Sequence, residues 1–104
     1  MTPEFMNYIN PKVQLILEKL KDFDFEQYPS QNIDLDDLET RPVKILENGS
    51  QYEGQWIKGS DVRQGKANIT WVDGSNYQGW IKENKAQGYG RLIHADGDVY
   101  TGTW

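Results

Sequence analysis

The chain has 104 residues, enough for one domain with a single modest core. Only 37% of the residues are apolar, whereas aromatic residues reach 12% and glycine occupies ten positions, a composition typical of short strands joined by turns. The absence of cysteine excludes disulfides, thiol catalysis and cysteine-based metal sites, and it fits a reducing compartment. Because the sequence shows neither a signal-peptide pattern nor a long apolar run, we expect a soluble, cytoplasmic protein.

The net charge of −5 is unevenly distributed along the chain. Residues 1–40 carry three lysines against nine carboxylates, whereas residues 41–104 carry eight basic residues against seven acidic ones. This contrast predicts two segments, an acidic N-terminal segment and a nearly neutral remainder. Neither segment has the clustered basic excess that drives generic binding to nucleic acid or to an anionic bilayer. The charge pattern therefore argues against nucleic acid and leaves at most a weak or indirect membrane association.

The N-terminal segment is predicted to contain one short amphipathic helix. Residues 1–5 end in a Glu-Phe pair that a common cloning site encodes, so we interpret them as a cloning remnant and start the natural segment at residue 6. Asn10 suits a helix N-cap and Pro11 suits the first helical position. The apolar residues that follow at helical spacing are Val13, Ile16, Leu17 and Leu20. This stripe is narrow and its setting acidic, which favours packing on the neighbouring domain over membrane insertion.

The rest of the acidic segment, up to residue 40, is predicted to be an arm laid along the domain. It contains more large apolar residues than a solvated linker would, namely Phe23, Phe25, Tyr28, Ile33, Leu35 and Leu38. A short helical turn is expected at residues 34–38. Carboxylates cluster there, but Leu38 and Glu39 occupy the positions where a calcium-binding EF-hand loop needs an oxygen ligand and a glycine. We therefore predict a solvated acidic turn, and we expect the whole segment to act as a cap on the first strand of the following array, residues 43–46. The alternatives are that its helix is an independent docking element for another protein, or a plug that lies in the aromatic groove until a partner displaces it.

An internal repeat dominates the chain from residue 41 onward. The element Tyr-x-Gly begins at Tyr52, Tyr77 and Tyr100, so that successive copies are separated by 25 and 23 residues. Each copy follows a dipeptide that favours tight turns between strands: Asn48-Gly49, Asp73-Gly74 and Asp96-Gly97. The repeat therefore predicts successive β-hairpins in which small residues let aromatic rings from neighbouring hairpins lie across the backbone.

Residues 41–104 resemble MORN repeats, whose consensus runs Tyr-x-Gly-x-Trp, a short turn, Gly-x-Gly, five residues, Asp-Gly, two residues and Tyr. The resemblance implies a mainly β fold: an elongated single antiparallel sheet of stacked hairpins, made of a partial unit, two full units and a partial unit. The glycines that it makes structural are Gly49, Gly54, Gly65, Gly74, Gly79, Gly88, Gly90, Gly97 and Gly102. The last half-unit lacks the strand that would complete its hairpin, so we expect the array to continue beyond residue 104.

The sequence departs from the MORN pattern at several positions. Pro42 and Ala67 replace the second glycine of Gly-x-Gly, and the Trp80-Ile81 pair reverses the expected order. The turn at residues 58–63 is two residues longer than in the other unit, and we expect it to bulge locally without changing the stack.

The resemblance implies a shallow groove that binds a partner through the repeat aromatics. The residues predicted to line it are Tyr52, Trp56, Trp71, Tyr77, Leu92, Tyr100 and Trp104. Its occupant would be a linear apolar segment or a helix of another protein, and a homodimer through the sheet is a further possibility. A plainer alternative is that these rings form only the core.

No catalytic, metal or cofactor site is predicted. His94 is the only histidine, and the repeat assigns it a strand position and a structural role. Gly88-Tyr89-Gly90 lacks the third glycine and the Lys-Ser/Thr pair of phosphate-binding loops. Asp73, Asp96 and Asp98 flank turns without a partner at metal-ligand spacing. The sequence thus indicates a protein that is not an enzyme.

The resemblance implies a protein-interaction scaffold in a cytoskeletal, ciliary or membrane-associated assembly. An alternative is the targeting or regulatory region of a larger enzyme, because MORN repeats precede catalytic domains in certain plant phosphatidylinositol phosphate kinases and in a protein lysine methyltransferase. Weak phosphoinositide binding is a third option, which the mixture of acidic and basic residues in the repeats disfavours.

Overall fold

The computed structural model describes residues 10–30 and 33–104, so the interpretation of residues 1–5 lies outside the described residues. The described chain is mainly β, with one α-helix, one short 3-10 helix and an open antiparallel sheet of seven strands. The helices and strands are α1 (Pro11–Lys19), the 3-10 helix (Leu35–Asp37), β1 (Leu38–Thr40), β2 (Lys44–Ile45), β3 (Gln51–Ile57), β4 (Arg63–Thr70), β5 (Asn76–Lys82), β6 (Lys85–Ile93) and β7 (Val99–Thr103). The predicted class, a single antiparallel sheet preceded by a short helix, is confirmed.

The sheet is a meander in which β3 to β7 follow each other in chain order. β1 and β2 both pair with the outer edge of β3, one after the other, with Leu38 opposite Ile57 and Ile45 opposite Gln51. The first strand predicted for the array, residues 43–46, is therefore the two-residue strand β2. Two short strands, β1 and β2, therefore pair with the edge of β3 that would otherwise be exposed. Of these two strands, β1 belongs to the segment predicted to be a cap.

The three predicted Asx-Gly turns connect hairpins and share one hydrogen-bond pattern. In each turn the side-chain Oδ1 of Asn48, Asp73 or Asp96 accepts from the backbone N–H two residues later, at 2.9 to 3.1 Å. The backbone bonds repeat as well: the glycine N–H donates to the carbonyl three residues earlier at 2.9 Å in all three turns. Because the strands are antiparallel and the three turns follow β2, β4 and β6, all three lie at the same end of the sheet.

Both long hairpins contain an irregularity at the same repeat position. The register shifts between Gly54 and Trp56 in the first and between Gly79 and Ile81 in the second. Gly65 and Gly88 lie in the strands opposite these shifts with φ of +110° and +88°, a backbone conformation that residues with a Cβ rarely adopt. The same shift occurs in the β5–β6 hairpin, whose turn is not lengthened. The longer turn after β3 is therefore not the cause of the shift.

Alternation along the strands divides the sheet into two faces. One, which we call the tyrosine face, carries Tyr52, Ile69, Tyr77, Ile81 and Leu92, and it contains the cluster of buried apolar residues centred on Tyr52 and Tyr77. The other, which we call the covered face, carries Asn76, Gln78, Trp80, Arg91 and Ile93.

The acidic arm packs on the covered face. The ring of Phe25 contacts Trp80 edge-on, with centroids 5.3 Å apart, and Tyr28 stacks flat on Tyr89 at 3.9 Å. Trp80 Nε1 donates to the carbonyl of Tyr28 at 2.6 Å. The described part of this arm therefore lies on the side of the sheet opposite the tyrosine face.

Helix α1 sits at the turn end of the sheet. Asn10 caps it as predicted, accepting from the N–H of Lys12 at 3.0 Å, and Val13 is buried. The helix is shorter than the predicted stripe: it ends at Lys19, and Leu20 is exposed. The predicted turn near residue 36 is the 3-10 helix, whose acidic side chains are exposed.

Candidate ligand groove on the tyrosine face

Three tyrosines repeat on alternate strands of the tyrosine face. Tyr52, Tyr77 and Tyr100 lie on β3, β5 and β7, and each phenol O–H donates to the backbone carbonyl three residues later. The three O–H···O distances are 2.6, 2.8 and 3.1 Å. This hydrogen bond holds each ring flat along its own strand, so the rings form a floor and do not project from the sheet.

Glycine makes room for the rings to lie flat. The ring of Tyr77 covers Gly79 on its own strand and Gly90 on the neighbouring strand. A Cβ atom on Gly79 would lie 2.6 Å from the Tyr77 hydroxyl, and one on Gly90 would overlap it. The ring therefore lies across the backbone of its own hairpin, β5–β6, whereas the sequence predicted rings that reach over from neighbouring hairpins.

The predicted groove residues differ greatly in exposure. Tyr52 and Tyr77 are only 0% and 2% exposed, whereas Tyr100 and Trp104 are 50% and 44% exposed. Trp56 is buried, packs edge-on against Tyr52 at 5.1 Å and lies beneath the guanidinium of Arg41 at 4.9 Å. Tyr52 and Trp56 thus belong to the core, as the plainer alternative had it.

The other predicted residues border open space. A groove of about 500 Å³ lies across β4, β5 and β6. Its lining residues are Ile69, Trp71, Asp73, Ser75, Tyr77, Ile81, Asn84, Ala86, Leu92, His94 and Trp104. A smaller cleft of about 250 Å³ continues it toward β7 and is lined by Leu92, His94, Asp96, Asp98, Val99 and Tyr100. The two share Leu92 and His94, and together we call them the apolar groove. It includes Trp71, Tyr77, Leu92, Tyr100 and Trp104 of the predicted set.

Sequence reasoning left Ile69, Ile81 and Ala86 out of the predicted lining. Period-two alternation from Tyr77 reaches Ile81, and pairing across the strands reaches Ile69 and Ala86. The signal was therefore present in the strand pattern. Trp104 forms the far wall, with its ring edge-on to Tyr77 at 5.5 Å and to Tyr100 at 5.2 Å.

A second, polar cleft of about 510 Å³ lies near β2. Its lining residues are Lys44, Ile45, Leu46, Glu47, Asn48, Trp56, Asp61, Arg63 and Asn84. Two basic and two acidic side chains balance its charge, so it lacks the sign preference needed to select an ionic ligand.

His94 is not on a strand, which corrects the prediction. β6 ends at Ile93, and the His94 side chain is exposed in the following turn with Nδ1 3.1 Å from Asp96 Oδ1. The hydrogen bonds from Ser75 hold the pKa of Asp73 below its usual value, and the backbone N–H of Asp98 does the same for the pKa of Asp96; His94 lowers both further. Both carboxylates are therefore charged at neutral pH.

The described part of the chain contains no group of three histidine, cysteine or carboxylate residues that could hold a metal ion. Neither helix in residues 10–30 and 33–104 has the length and apolar character needed to cross a bilayer. No protein-family model matches the chain, and no curated protein is significantly similar to it.

Proposed function

We propose that this chain is a MORN-type repeat module that binds an apolar segment of a partner protein in the apolar groove, without catalysis. The repeated geometry supports the family assignment: Asn48, Asp73 and Asp96 make the same turn bond, and the tyrosine that follows each turn makes the same bond to a carbonyl. Hairpins linked in this way share one continuous core, as stacked repeats do.

The observation that carries the binding proposal is an exposed aromatic and aliphatic surface on the face opposite the one on which the described part of the arm packs. Trp71, which follows β4, and Ala86 and Leu92 on β6 are half-buried, and the buried ring of Tyr77 forms the floor between them. Contiguous exposed apolar surface of this kind marks binding sites in proteins, and aromatic residues are enriched at interfaces.

The dimensions of the groove fit a short segment. The groove extends from β4 across β5 and β6 to the residue after β7, which is three strand spacings. At roughly 4.8 Å for each spacing, its length is about 14 Å. A helix covers that distance in about nine residues at 1.5 Å per residue, and an extended chain in about four. A partner helix would present one apolar stripe to the groove.

Selection from a library of random 12-residue peptides displayed on phage tests this function. We expect the recovered peptides to be rich in apolar residues and to bind the purified chain in a fluorescence anisotropy titration. Trp104→Ala removes the far wall of the groove and should weaken them at least about ten-fold, the effect of losing a central aromatic anchor.

Leu15→Ala is the matched control, because Leu15 is 58% exposed on α1 and is not one of the described residues that line the groove. It removes an exposed apolar side chain of comparable accessibility and should leave the affinity unchanged. Recovery of no binders, or binders that Trp104→Ala and Leu15→Ala affect equally, would contradict the proposal.

A further inference from the structure

The charged side chains that line the apolar groove are predominantly acidic. Its titratable lining side chains are Asp73, His94, Asp96, Asp98 and two tyrosines, whereas none of the lining residues within 10–30 and 33–104 is a lysine or an arginine. Three carboxylates therefore meet the apolar floor at the turn end of the strands. In the polar cleft near β2, by contrast, Lys44 and Arg63 offset the carboxylates.

The turns fix two of these carboxylates, Asp73 and Asp96, in position. Asp73 Oδ1 accepts from both the N–H and the hydroxyl of Ser75, at 2.9 and 2.6 Å, and Asp96 Oδ1 accepts from the N–H of Asp98 at 3.1 Å. Asp98 occupies the position that a serine holds in the other two turns, which adds a carboxylate beside the groove. A side chain already held by the turn loses little conformational freedom when a ligand binds.

We propose that the apolar groove selects a peptide segment that combines apolar anchors with lysine or arginine directed at Asp73, Asp96 and Asp98. This inference rests on the proposed function and names the chemistry of the partner. Opposite charges at the border of an apolar site add specificity and speed association, and the overall charge of −5 has the same sign as the groove.

The same charges disfavour two other occupants. A second copy of this chain is itself acidic, and its N-terminal 40 residues carry three lysines against nine carboxylates, so it would bring like charge to the groove. An anionic lipid headgroup would also meet three carboxylates. Like-charge juxtaposition of this kind suppresses the wrong partners of an interface.

Two 12-residue probe peptides with the same leucines and phenylalanine test the proposal. One carries three lysines and the other three glutamates on the flank of the apolar stripe. We expect the lysine probe to bind at least about five-fold more tightly in 50 mM salt, and the difference to shrink in 0.5 M salt because ions screen exposed charges.

The first turn supplies the design of the charge variant. Asn48 makes the same turn bond that Asp73 and Asp96 make, with Oδ1 2.9 Å from the N–H of Ser50. The triple variant Asp73→Asn, Asp96→Asn, Asp98→Asn therefore removes three charges while retaining an amide oxygen as the turn acceptor. The control variant Glu18→Gln, Glu26→Gln, Asp36→Asn removes three exposed charges from the N-terminal segment.

The groove variant should reduce the lysine preference to less than about two-fold, whereas the control variant should retain it, because screening confines the effect to nearby charges. Equal binding of the two probes, a preference for glutamate, or equal effects of both variants would overturn the charge selection and leave the groove as a general apolar site. Failure of both probes to bind would overturn the charge selection and the proposed function together.

Discussion

Gln78 and Arg91 face each other across β5 and β6 and together fasten the acidic arm to the sheet. Gln78 Oε1 accepts two hydrogen bonds of 2.9 Å, one from Arg91 Nη2 and one from the backbone N–H of Phe23. Arg91 Nη1 donates to the carbonyl of Lys21 at 2.8 Å. Over residues 21–23, the acidic arm is thus held on the sheet by hydrogen bonds from the buried guanidinium of Arg91 and to the amide of Gln78, and not by pairing of its backbone with a strand.

Arg91→Ala should therefore loosen the arm. It removes two hydrogen bonds from a charged donor and leaves the Lys21 carbonyl without that donor, so we expect the free energy of unfolding to fall by about 2 to 4 kcal/mol. Denaturant titration measures the loss, and limited proteolysis should cut residues 20–30 sooner. Lys85→Ala, at the exposed first residue of β6, should change the stability by about 0.5 kcal/mol or less. Equal effects of the two variants would show that the buried guanidinium does not hold the arm.

Asn10 makes two separable contributions. Its Oδ1 caps α1, and its Nδ2 donates to the carbonyls of Asp73 and Ala95 at 3.0 Å each, joining the helix to two turns. Asn10→Ser keeps a capping oxygen and loses the bridge, so it should cost about 1 to 2 kcal/mol; Asn10→Ala loses both and should cost about 1 kcal/mol more. Denaturation midpoints give both values. A serine variant as stable as the parent would show that the bridge contributes nothing.

The buried tyrosines predict a loss of stability at alkaline pH. Burial raises the pKa of Tyr52, against a smaller opposing effect of Arg63, and raises the pKa of Tyr77. Below the ordinary pKa of 10 both phenols stay protonated in the folded and unfolded states. Above it only the unfolded chain loses these protons, so the free energy of unfolding should fall by about 1.4 kcal/mol per pH unit for each tyrosine.

Tyr77→Phe isolates one of these two contributions. The variant keeps the ring but has no phenol proton to lose. We therefore expect its free energy of unfolding to fall between pH 10 and 11.5 by about 1.4 kcal/mol less per pH unit than that of the parent. Denaturant titrations at several pH values measure the slopes. Identical slopes for the variant and the parent would contradict the assignment of the alkaline loss to Tyr77.

The predictable part of this fold is the part that local chemistry determines. The Asp73-Gly74 dipeptide specifies a tight turn by itself, and alternation from Tyr77 specifies a face, so hairpins and faces follow from short stretches of sequence. The cap at Asn10 is local in the same sense. The end of α1 was less predictable, because Leu20 continues the apolar spacing although the helix ends at Lys19.

The exposure of the repeated rings could not be predicted from the repeat. Tyr52, Tyr77 and Tyr100 have the same local sequence pattern and the same hydrogen bond, yet the first two are buried and the third is half exposed. Their exposure depends on neighbours far along the chain, such as Trp104 above Tyr77. The hydrogen bond between Gln78 and Phe23 joins residues that are 55 positions apart in the chain. For the same reason, the local sequence pattern could not predict which face of the sheet the arm covers.

Deletion of residues 1–37 tests what the arm does. It leaves β1 intact but uncovers Trp80 and Arg91, which are buried and contact the arm through Phe25, Tyr28 and Lys21. We expect the shortened chain to aggregate or to lose cooperative melting, as measured by size-exclusion chromatography and calorimetry, because a cap protects apolar surface that is unstable in water. A soluble shortened chain that melts as cooperatively as the parent would instead identify the arm as an independent docking element. A gain in affinity for the groove peptides would identify it as a plug, and since the arm packs on the covered face we expect no such gain.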